Sequence, residues 1–273
     1  MFSKRWLQVC LLLCILIAPL LGCSISLGNP TSSSSASPTA SGMEQTLNTW
    51  QHVSSGVEVR YEDWKSPGNN EDTMTIVRFD LSKVHLSVGY QPSNPMSISD
   101  WAKQTNALAV INGGYFDQTD NTTSLVVSNG QAYGTSYNGF GGMLSVDTQG
   151  NVRLRSLSQT PYDPNSEQLQ QATQSSPMLV INSKRTQFNA NAASERRSIV
   201  AQDTQGRLLF IVSPNNAFSL DELADLLVSS DLSIKNALNL DGGASTGLYM
   251  KAGSQPVEVD SIAALPIVIA VKQ

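Results

Sequence analysis

The sequence predicts a single α+β domain with a mixed, mostly antiparallel sheet and a few flanking helices. Three observations support this fold class: short alternating apolar and polar runs recur along the chain, turn signals separate many of them, and two helix-like segments each precede a buried run. Many strands with few helices favour an antiparallel or mixed sheet, while the helix-then-strand units argue against a plain β-sandwich.

Turn chemistry indicates which strands are neighbours. Asn129-Gly130 and the Asp-Thr-Gln-Gly segments at 147–150 and 203–206 are typical of hairpin turns. A further hairpin is expected across Asp80–Lys83, and Pro266 suggests that the last strand lies at a sheet edge or a bulge. The predicted strands cover 57–61, 73–79, 84–90, 125–133 as a hairpin, 139–146, 152–157, 177–182, 198–202, 208–212, 237–240 and 262–271.

Two helices are expected directly before buried strands. Ser97 and Ser219 fit N-cap positions, with Asp100 and Glu222 three residues later, as in a capping box. The predicted helices cover 99–105, 220–229 and, within a polar Gln-rich segment, 167–173.

The start of the chain is typical of a targeting signal. Lys4 and Arg5 precede an apolar run that is short for a membrane span, and Leu-Leu-Gly-Cys23 resembles a bacterial lipobox. We therefore expect residues 1–22 to be a lipoprotein signal peptide and Cys23 to be lipidated, an uncleaved anchor helix being the alternative. Residues 23–45 are expected to form a Ser/Thr-rich disordered tether, and residues 46–273 the folded domain.

Composition limits the classes of function. Two of the three cysteines lie in the signal and the third is Cys23, so the domain is expected to fold without a disulfide. The formal net charge of −5 and the lack of an extended basic cluster argue against nucleic-acid binding. The expected location is extracytoplasmic, with a lipid anchor in the bacterial cell membrane or the outer membrane.

Two segments of the chain share one design. Residues 106–117 and 236–249 each begin Asn-Ala-Leu, continue as a buried strand, and end in a polar residue followed by Gly-Gly. The polar residues are Asn112 and Asp241. A glycine pair lets the backbone take positive φ and lets a ligand approach its amides. We expect the two turns to meet at one sheet edge and form a site. Taken alone, one such turn is more simply explained as a strand-to-strand turn in which the polar side chain caps its own backbone.

Other catalytic and metal motifs are weak. Residues 243–247 match G-x-S-x-G, but a strand pattern follows the serine and both histidines lie far upstream, which argues against a serine hydrolase. Too few His and Cys residues are present for a zinc site. The sequence requires no cofactor. A calcium site is the alternative, with Asp117, Asp120 and Asp241 as candidate ligands. For residues 117–121, a polar surface turn is the favoured interpretation.

Arg196 and Arg197 directly precede a buried strand. A planar guanidinium suits phosphate, and a strand can hold it in a fixed direction. Alternation places Arg197 and Ile199 on one face of the strand. Taken alone, the pair is also consistent with solvated arginines at a strand end.

Three segments, in this order, resemble the signatures of the phosphodiester glycosidase family: Asn112-Gly-Gly-Tyr-Phe, Arg197-Ser-Ile-Val and Asn239-Leu-Asp-Gly-Gly-Ala-Ser-Thr. The resemblance extends from about residue 73 to the C-terminus. Ala244, where many members carry glycine, and Tyr115, where Phe is frequent, depart from the family pattern. The family includes the enzyme that removes N-acetylglucosamine from a phosphodiester on mannose, but a substrate does not transfer with a fold.

The resemblance implies a hydrolase of a sugar-1-phosphodiester in an envelope or exopolysaccharide-type glycan, reacting through an oxocarbenium-like state. Asp241 would be the nucleophile or the base for water, Arg197 would hold the phosphate, and Asn112 would bind the sugar or orient Asp241. Further substrate contacts are expected from Gly113, Gly114, Tyr115, Gly242, Gly243, Ser245 and Thr246. The alternatives are a non-catalytic module that binds anionic cell-envelope polysaccharide and, ranked last, a structural lipoprotein.

Overall fold

The computed structural model describes residues 46–188 and 193–273; the expected signal peptide, the Cys23 lipid anchor and the tether lie outside these residues. Eighteen strands and two α-helices make up the described part of the chain. They are β1 (Gln51–Ser54), β2 (Val57–Lys65), β3 (Glu71–Phe79), β4 (His85–Tyr90), α1 (Ile98–Thr105), β5 (Ala109–Asn112), β6 (Val126–Ser128), β7 (Gln131–Tyr133), β8 (Gly142–Asp147), β9 (Val152–Ser156), β10 (Leu169–Ser175), β11 (Met178–Ile181), β12 (Lys184–Arg185), β13 (Glu195–Asp203), β14 (Leu208–Phe218), α2 (Leu220–Ser229), β15 (Ile234–Asn239), β16 (Leu248–Met250), β17 (Val257–Val259) and β18 (Ile267–Lys272).

The strands form three sheets. The largest has eight strands in the order β1-β2-β3-β14-β13-β15-β11-β12, and the other two have five each, β17-β16-β5-β18-β4 and β7-β6-β10-β8-β9. Neighbouring strands within each sheet run antiparallel. The domain is therefore richer in β-structure than the balanced α+β class that the sequence suggested, because the helices have only 8 and 10 residues.

Apolar layers hold the sheets and helices together. The main cluster lies between the eight-stranded sheet and the sheet of β5 and β18, and in it the Phe79 and Phe210 ring centroids are 4.8 Å apart. A second cluster packs α2 on the outer face of the eight-stranded sheet, and a third packs α1 on β5 and β18. Strand alternation explains this, since Val200 of β13 faces the main cluster while Ile199 faces α2.

Several local predictions that depend on turn and cap chemistry are confirmed. Both helices begin at the expected serine N-caps, and Ser219 with Glu222 forms the complete capping box. Asn129 and Gly130 have φ of 51° and 80°, as a type I′ turn requires. The described helices include none that is long and apolar enough to cross a membrane.

Three predictions that depended on distant partners are wrong. Asp80–Lys83 does not close a hairpin, because β3 and β4 belong to different sheets. Residues 167–173 are not helical; β10 occupies most of this segment and pairs with β6 and β8. The last strand is neither an edge strand nor bulged at Pro266, since β18 begins just after the proline and lies between β4 and β5.

Candidate active site

Strand pairing brings Arg197 next to the turn of Asp241. Ile199 on β13 is opposite Asn239 on β15, and the amide of Leu240 donates to the carbonyl of Ser198 at 2.9 Å. The same antiparallel register places position 197 opposite position 241. A Cβ built on Gly242 would lie 3.8 Å from Nη1 of Arg197, so the guanidinium lies directly against this turn.

The two glycine turns meet, but not at one sheet edge as expected. β5 and β15 belong to different sheets, and their turns meet where the ends of those sheets come together. The amide of Asp241 donates to the carbonyl of Gly113 at 3.1 Å and links the turns directly. The contact is therefore tertiary, between two sheets.

The carboxylate of Asp241 is partly buried. Its Oδ1 accepts a hydrogen bond of 2.9 Å from the amide of Gly242. Burial raises the pKa of Asp241 above the ordinary aspartate value, and hydrogen bonds from the Ser245 hydroxyl and the Gly242 amide oppose that rise. A carboxylate in such surroundings gains basicity and nucleophilic character once it is ionised.

Asn112 is a bridge between the turns. Its side chain is 1 % exposed; Nδ2 donates to the carbonyl of Asp241 at 2.7 Å, and Oδ1 accepts from the amide of Gly247 at 3.2 Å. The strong polar groups of the amide are thus already bonded inside the protein. Of the two expected roles, this geometry is that of a residue which positions Asp241 rather than one which binds sugar.

Arg197 is buried and takes part in no ion pair among the described residues. Nε donates to the carbonyl of Phe218 at 3.3 Å and Nη2 to that of Ala193 at 2.8 Å. Burial lowers the pKa of Arg197, and Glu195 and Tyr115 oppose this; an arginine remains charged in such a site. The site therefore carries a positive charge whose hydrogen bonds go to neutral carbonyls.

Arg196 has a different environment. Its Nε donates to the carbonyl of Pro214 at 2.9 Å and its Nη2 to that of Asp260 at 2.7 Å. These bonds hold the side chain through main-chain carbonyls. The Arg196 guanidinium is thus held by these carbonyls, whereas that of Arg197 lies against Gly242.

Tyr115 and Asn239 form a small polar network beside Asp241. The hydroxyl of Tyr115 donates to the carbonyl of Ser176 at 2.8 Å and accepts from Nδ2 of Asn239 at 2.9 Å. Burial, followed by the charge of Asp241 and the neighbouring Tyr137, raises the pKa of Tyr115 to about 12. Asn239 is 1 % exposed and its Oδ1 has no partner among the described residues.

Asn239 was not among the residues singled out for the site. Its place in the sequence carried a signal, because it lies two residues before Asp241 on a strand. Side chains at that spacing share one face.

The main-chain amides of the first glycine turn, expected to contact substrate, are bonded inside the protein. The N–H of Gly113 donates to the carbonyl of Ile267 at 2.9 Å, and that of Gly114 faces Oγ1 of Thr173 at 3.4 Å. These glycines are needed for packing: a Cβ on Gly113 would be 2.4 Å from Cγ2 of Ile267, and one on Gly114 would be 2.0 Å from the carbonyl oxygen of Gln174.

The second turn stays closer to the carboxylate. Gly242 donates to Asp241, while Gly243 has a φ of +58°, which favours glycine. Ser245 is 5 % exposed and Thr246 is fully buried, and Oγ1 of Thr246 has no partner among the described residues. Thr246, one of the expected substrate contacts, therefore presents no surface to a substrate in this structure.

The two other acidic candidates lie in a self-contained turn. Oδ1 of Asp117 accepts from the amides of Thr119 and Asn121 at 2.8 and 3.1 Å, and Asp120 has a φ of 63°. This is an Asx-type surface turn. Across residues 46–188 and 193–273, no group of three or more His, Cys, Asp and Glu side chains is arranged to hold a metal ion.

A partly buried carboxylate, on a turn that also contacts an arginine outside any described ion pair, is suited to a hydrolase site for an anionic substrate. The family model for phosphodiester glycosidases matches residues 105–272, which include Asn112, Arg197 and Asp241. The chain belongs to the phosphodiester glycosidase family.

Solved structures share the fold. The catalytic domain of zebrafish N-acetylglucosamine-1-phosphodiester alpha-N-acetylglucosaminidase, auto-inhibited by its pro-peptide, is 18% identical with a TM-score of 0.62, over 85% of this chain and 87% of that one. A hypothetical protein from Synechocystis is 15% identical with a TM-score of 0.58, over 80% of this chain and 62% of that one. The comparison with curated proteins gives no significant match.

Proposed function

We propose that this protein is an extracytoplasmic hydrolase that cleaves the C1–O–phosphate bond of a sugar-1-phosphodiester in an envelope or exopolysaccharide-type glycan. The observation that carries the proposal is the placement of Arg197 against the turn of Asp241, with Nη1 at 3.8 Å from a Cβ added to Gly242. A phosphodiester needs both groups, a carboxylate at the anomeric carbon and a cation at the phosphate.

The chemistry assigned to each residue follows from its surroundings. Asp241 in its ionised form either attacks C1, giving a glycosyl ester that water then hydrolyses, or removes a proton from the water that attacks C1. In both cases the bond between C1 and the bridging oxygen breaks, and that oxygen leaves with the phosphate. The phosphate monoester leaves as a stable anion and therefore needs little protonation. This agrees with a site in which the Tyr115 hydroxyl is already bonded and is kept neutral by its high pKa.

Arg197 holds the phosphate and stabilises the charge that develops on the leaving oxygen. Its position is prepared before substrate binds, because Nε and Nη2 are fixed by main-chain carbonyls. Asn112 keeps the turn of Asp241 in place through the Asp241 carbonyl and the Gly247 amide. Tyr115, Gly242 and Gly243 border the sugar.

The location and the anchor are proposed from the sequence. The lipobox-like Leu-Leu-Gly-Cys23 and the polar segment after it fit a domain tethered to the membrane through a lipid on Cys23. Cys23→Ser is expected to release the protein from the membrane fraction and to abolish incorporation of labelled fatty acid. Unchanged membrane association and labelling would contradict the anchor.

The direct test of activity is hydrolysis of N-acetylglucosamine-1-phosphodiesters by the full chain in detergent, with and without chelator. Wild type should release free sugar, and Asp241→Asn and Arg197→Ala should each lower kcat/KM by at least ~10²-fold, equivalent to about 2.7 kcal/mol. Arg196→Ala is the matched control, since its hydrogen bonds go to Pro214 and Asp260. It should keep most of the activity.

Two results would contradict the assignment. Turnover by Asp241→Asn within about threefold of wild type, a loss under ~0.7 kcal/mol, would remove Asp241 from the mechanism. No sugar release from a panel of sugar-1-phosphodiesters, by folded protein that still binds anionic envelope polysaccharide, would indicate the binding module instead. Loss of wild-type activity in the presence of chelator would show that the reaction also requires a metal ion.

A further inference from the structure

A stacked pair of aromatic rings, one of them exposed, lies in the loop between β7 and β8. The rings of Tyr137 and Phe140 have centroids 4.5 Å apart and an interplanar angle of 28°. Phe140 is 53 % exposed, whereas Tyr137 packs partly into the core cluster of Leu125 and Met143. One ring is thus anchored and the other is presented to solvent.

The end of β10 joins this loop to the active site. Gln174 is fully buried; its Oε1 accepts from the amide of Tyr137 at 2.8 Å, and its Nε2 donates to Oγ of Ser136 at 2.7 Å. On the other side, the carbonyl oxygen of Gln174 lies against Gly114, where an added Cβ would be 2.0 Å away. One residue therefore contacts both the aromatic loop and the glycine turn of Tyr115.

Ser176, two residues further along, strengthens the connection. Its carbonyl accepts from Tyr115 and from Asn239, and its Cβ would be 3.4 Å from a Cβ added to Gly141. Tyr137 is also close enough to Tyr115 to contribute to the rise of its pKa. The aromatic pair consequently borders the site through direct neighbours of Asp241 and Asn239.

The loop holds the rings in place. Gly141 has a φ of +72°, and a Cβ there would be 2.6 Å from the carbonyl oxygen of Ser175 and 3.0 Å from Cδ2 of Tyr137. Residues 134–141 include no charged side chain, but Thr135 and Asn138 are exposed and polar. A neutral, flat and fixed surface with amide and hydroxyl groups at its side suits a sugar ring, whose C–H face is apolar and whose rim carries hydroxyls.

We propose that Tyr137 and Phe140 form a platform for a sugar ring next to the ring whose C1–O bond is cleaved, so that the substrate is a glycan of at least two sugars. The platform rests on the function proposed above and adds the substrate class to it. A preformed stacked pair binds at low entropic cost, because neither ring must be ordered on binding. Specificity for a chain over a single sugar phosphodiester would arise here.

The test compares two substrates with the full chain in detergent. One is the methyl phosphodiester of a single sugar at C1, and the other carries a further sugar ring on that sugar. Phe140→Leu keeps an apolar residue but removes the ring, and Phe140→Tyr keeps the ring. We expect Phe140→Leu to raise KM for the two-sugar substrate by about fivefold to tenfold, with kcat unchanged. The kinetics with the single-sugar substrate should not change in this variant. Phe140→Tyr should have the wild-type KM for both substrates.

An equal effect on both substrates, or no effect on either, would overturn the platform. If wild type cleaves neither substrate, the proposed function fails, and the platform is then decided by binding of the two-sugar compound measured by ligand-observed NMR. Binding that Phe140→Leu weakens and Phe140→Tyr preserves supports the platform. Equal binding by all three proteins, or no binding by any, overturns it.

Discussion

The side chain of Asn112 donates a hydrogen bond of 2.7 Å to the main-chain carbonyl of Asp241, across the boundary between two sheets. The same amide accepts from Gly247 at 3.2 Å, so one buried side chain fixes both ends of the turn that carries the carboxylate. The position of Asp241 thus depends on a residue that lies 129 positions earlier in the chain.

Asn112→Asp should destabilise the fold and misplace Asp241. The substitution keeps the size of the side chain but sets a carboxylate oxygen against the Asp241 carbonyl in a site that is 1 % exposed. We expect the free energy of unfolding to fall by about 2–4 kcal/mol, measured in urea. Asn94→Asp, at an exposed loop position, is the control and should change stability little. A loss of similar size in both variants would contradict the bridge.

The acidic limb of the pH–rate profile should report the ionisation of Asp241. Burial raises its pKa, and the ionised form is the one that reacts. Therefore kcat/KM should fall as the pH decreases through an apparent pKa above the ordinary aspartate value of 3.8. The measurement is kcat/KM from about pH 3 to 9 with one phosphodiester substrate. An acidic limb at or below the ordinary aspartate value would contradict the assignment.

Asp241→Asn should make the protein more stable at neutral pH while lowering its activity. A carboxyl group whose pKa is raised in the folded state favours folding when protonated, and its ionisation costs stability as the pH rises from the unfolded pKa through the folded one. The gain in Tm should thus be present at pH 7 and vanish below about pH 3.5.

Asp147→Asn is the control with the opposite sign, because hydrogen bonds from Asn151 lower the pKa of Asp147. That variant should lose Tm at neutral pH, where the wild-type carboxylate is ionised, and not at low pH. The same direction of change in both variants would show that burial of Asp241 is not the cause.

Gly242→Ala should reduce activity through crowding. Gly242 has a φ of −127°, which any residue adopts, so backbone strain is not the reason. An added Cβ would be 2.9 Å from the carbonyl oxygen of Arg196 and would border Nη1 of Arg197. We expect kcat/KM to fall by at least ~10-fold and stability by about 1–3 kcal/mol.

Gly206→Ala separates this effect from a general cost of replacing glycine. Gly206 has a φ of +83° and nothing within 4 Å of an added Cβ, at the far end of the hairpin of β13 and β14. It should lose about 1 kcal/mol of stability and keep full activity. Equal losses of activity in the two variants would argue against a specific role of the Gly242 contact.

Tyr115→Phe should leave the alkaline side of the pH–rate profile unchanged. The pKa of Tyr115 is raised to about 12, so the hydroxyl stays protonated throughout the assay range. The variant loses the hydrogen bonds to Ser176 and Asn239, and we expect a loss of about 1 kcal/mol in stability with activity within about threefold of wild type. Disappearance of an alkaline limb in Tyr115→Phe would show that the hydroxyl takes part in proton transfer.

Features that depend on neighbouring residues could be predicted from the sequence. The serine caps of α1 and α2, the type I′ turn at Asn129-Gly130 and the hairpin of β13 and β14 each depend on a few adjacent side chains. The candidate site residues were found for a similar reason, since the glycine pairs and the arginine stand at the ends of apolar runs.

Features that depend on distant partners could not be predicted. Asp80–Lys83 has turn-forming residues, but β4 pairs with β18 from the other end of the chain. Residues 167–173 are Gln-rich, yet β10 becomes a strand because Gln171 and Gln174 find buried partners in Val88 and Tyr137. Such hydrogen bonds depend on residues that the local pattern does not include.

By itself, the sequence determined which residues are suited to the chemistry: a carboxylate and an asparagine before glycine pairs, and an arginine before a buried strand. Only the tertiary structure decided how they are used. Two sheets meet, so the side-chain amide of Asn112 is bonded to the second turn, and the main-chain amides of Gly113 and Gly114 are bonded inside the protein. The side chain that lies against Gly242 is that of Arg197, not that of Arg196. The physical reason is that a buried polar group must find a hydrogen-bond partner, and the fold, not the local sequence, supplies that partner.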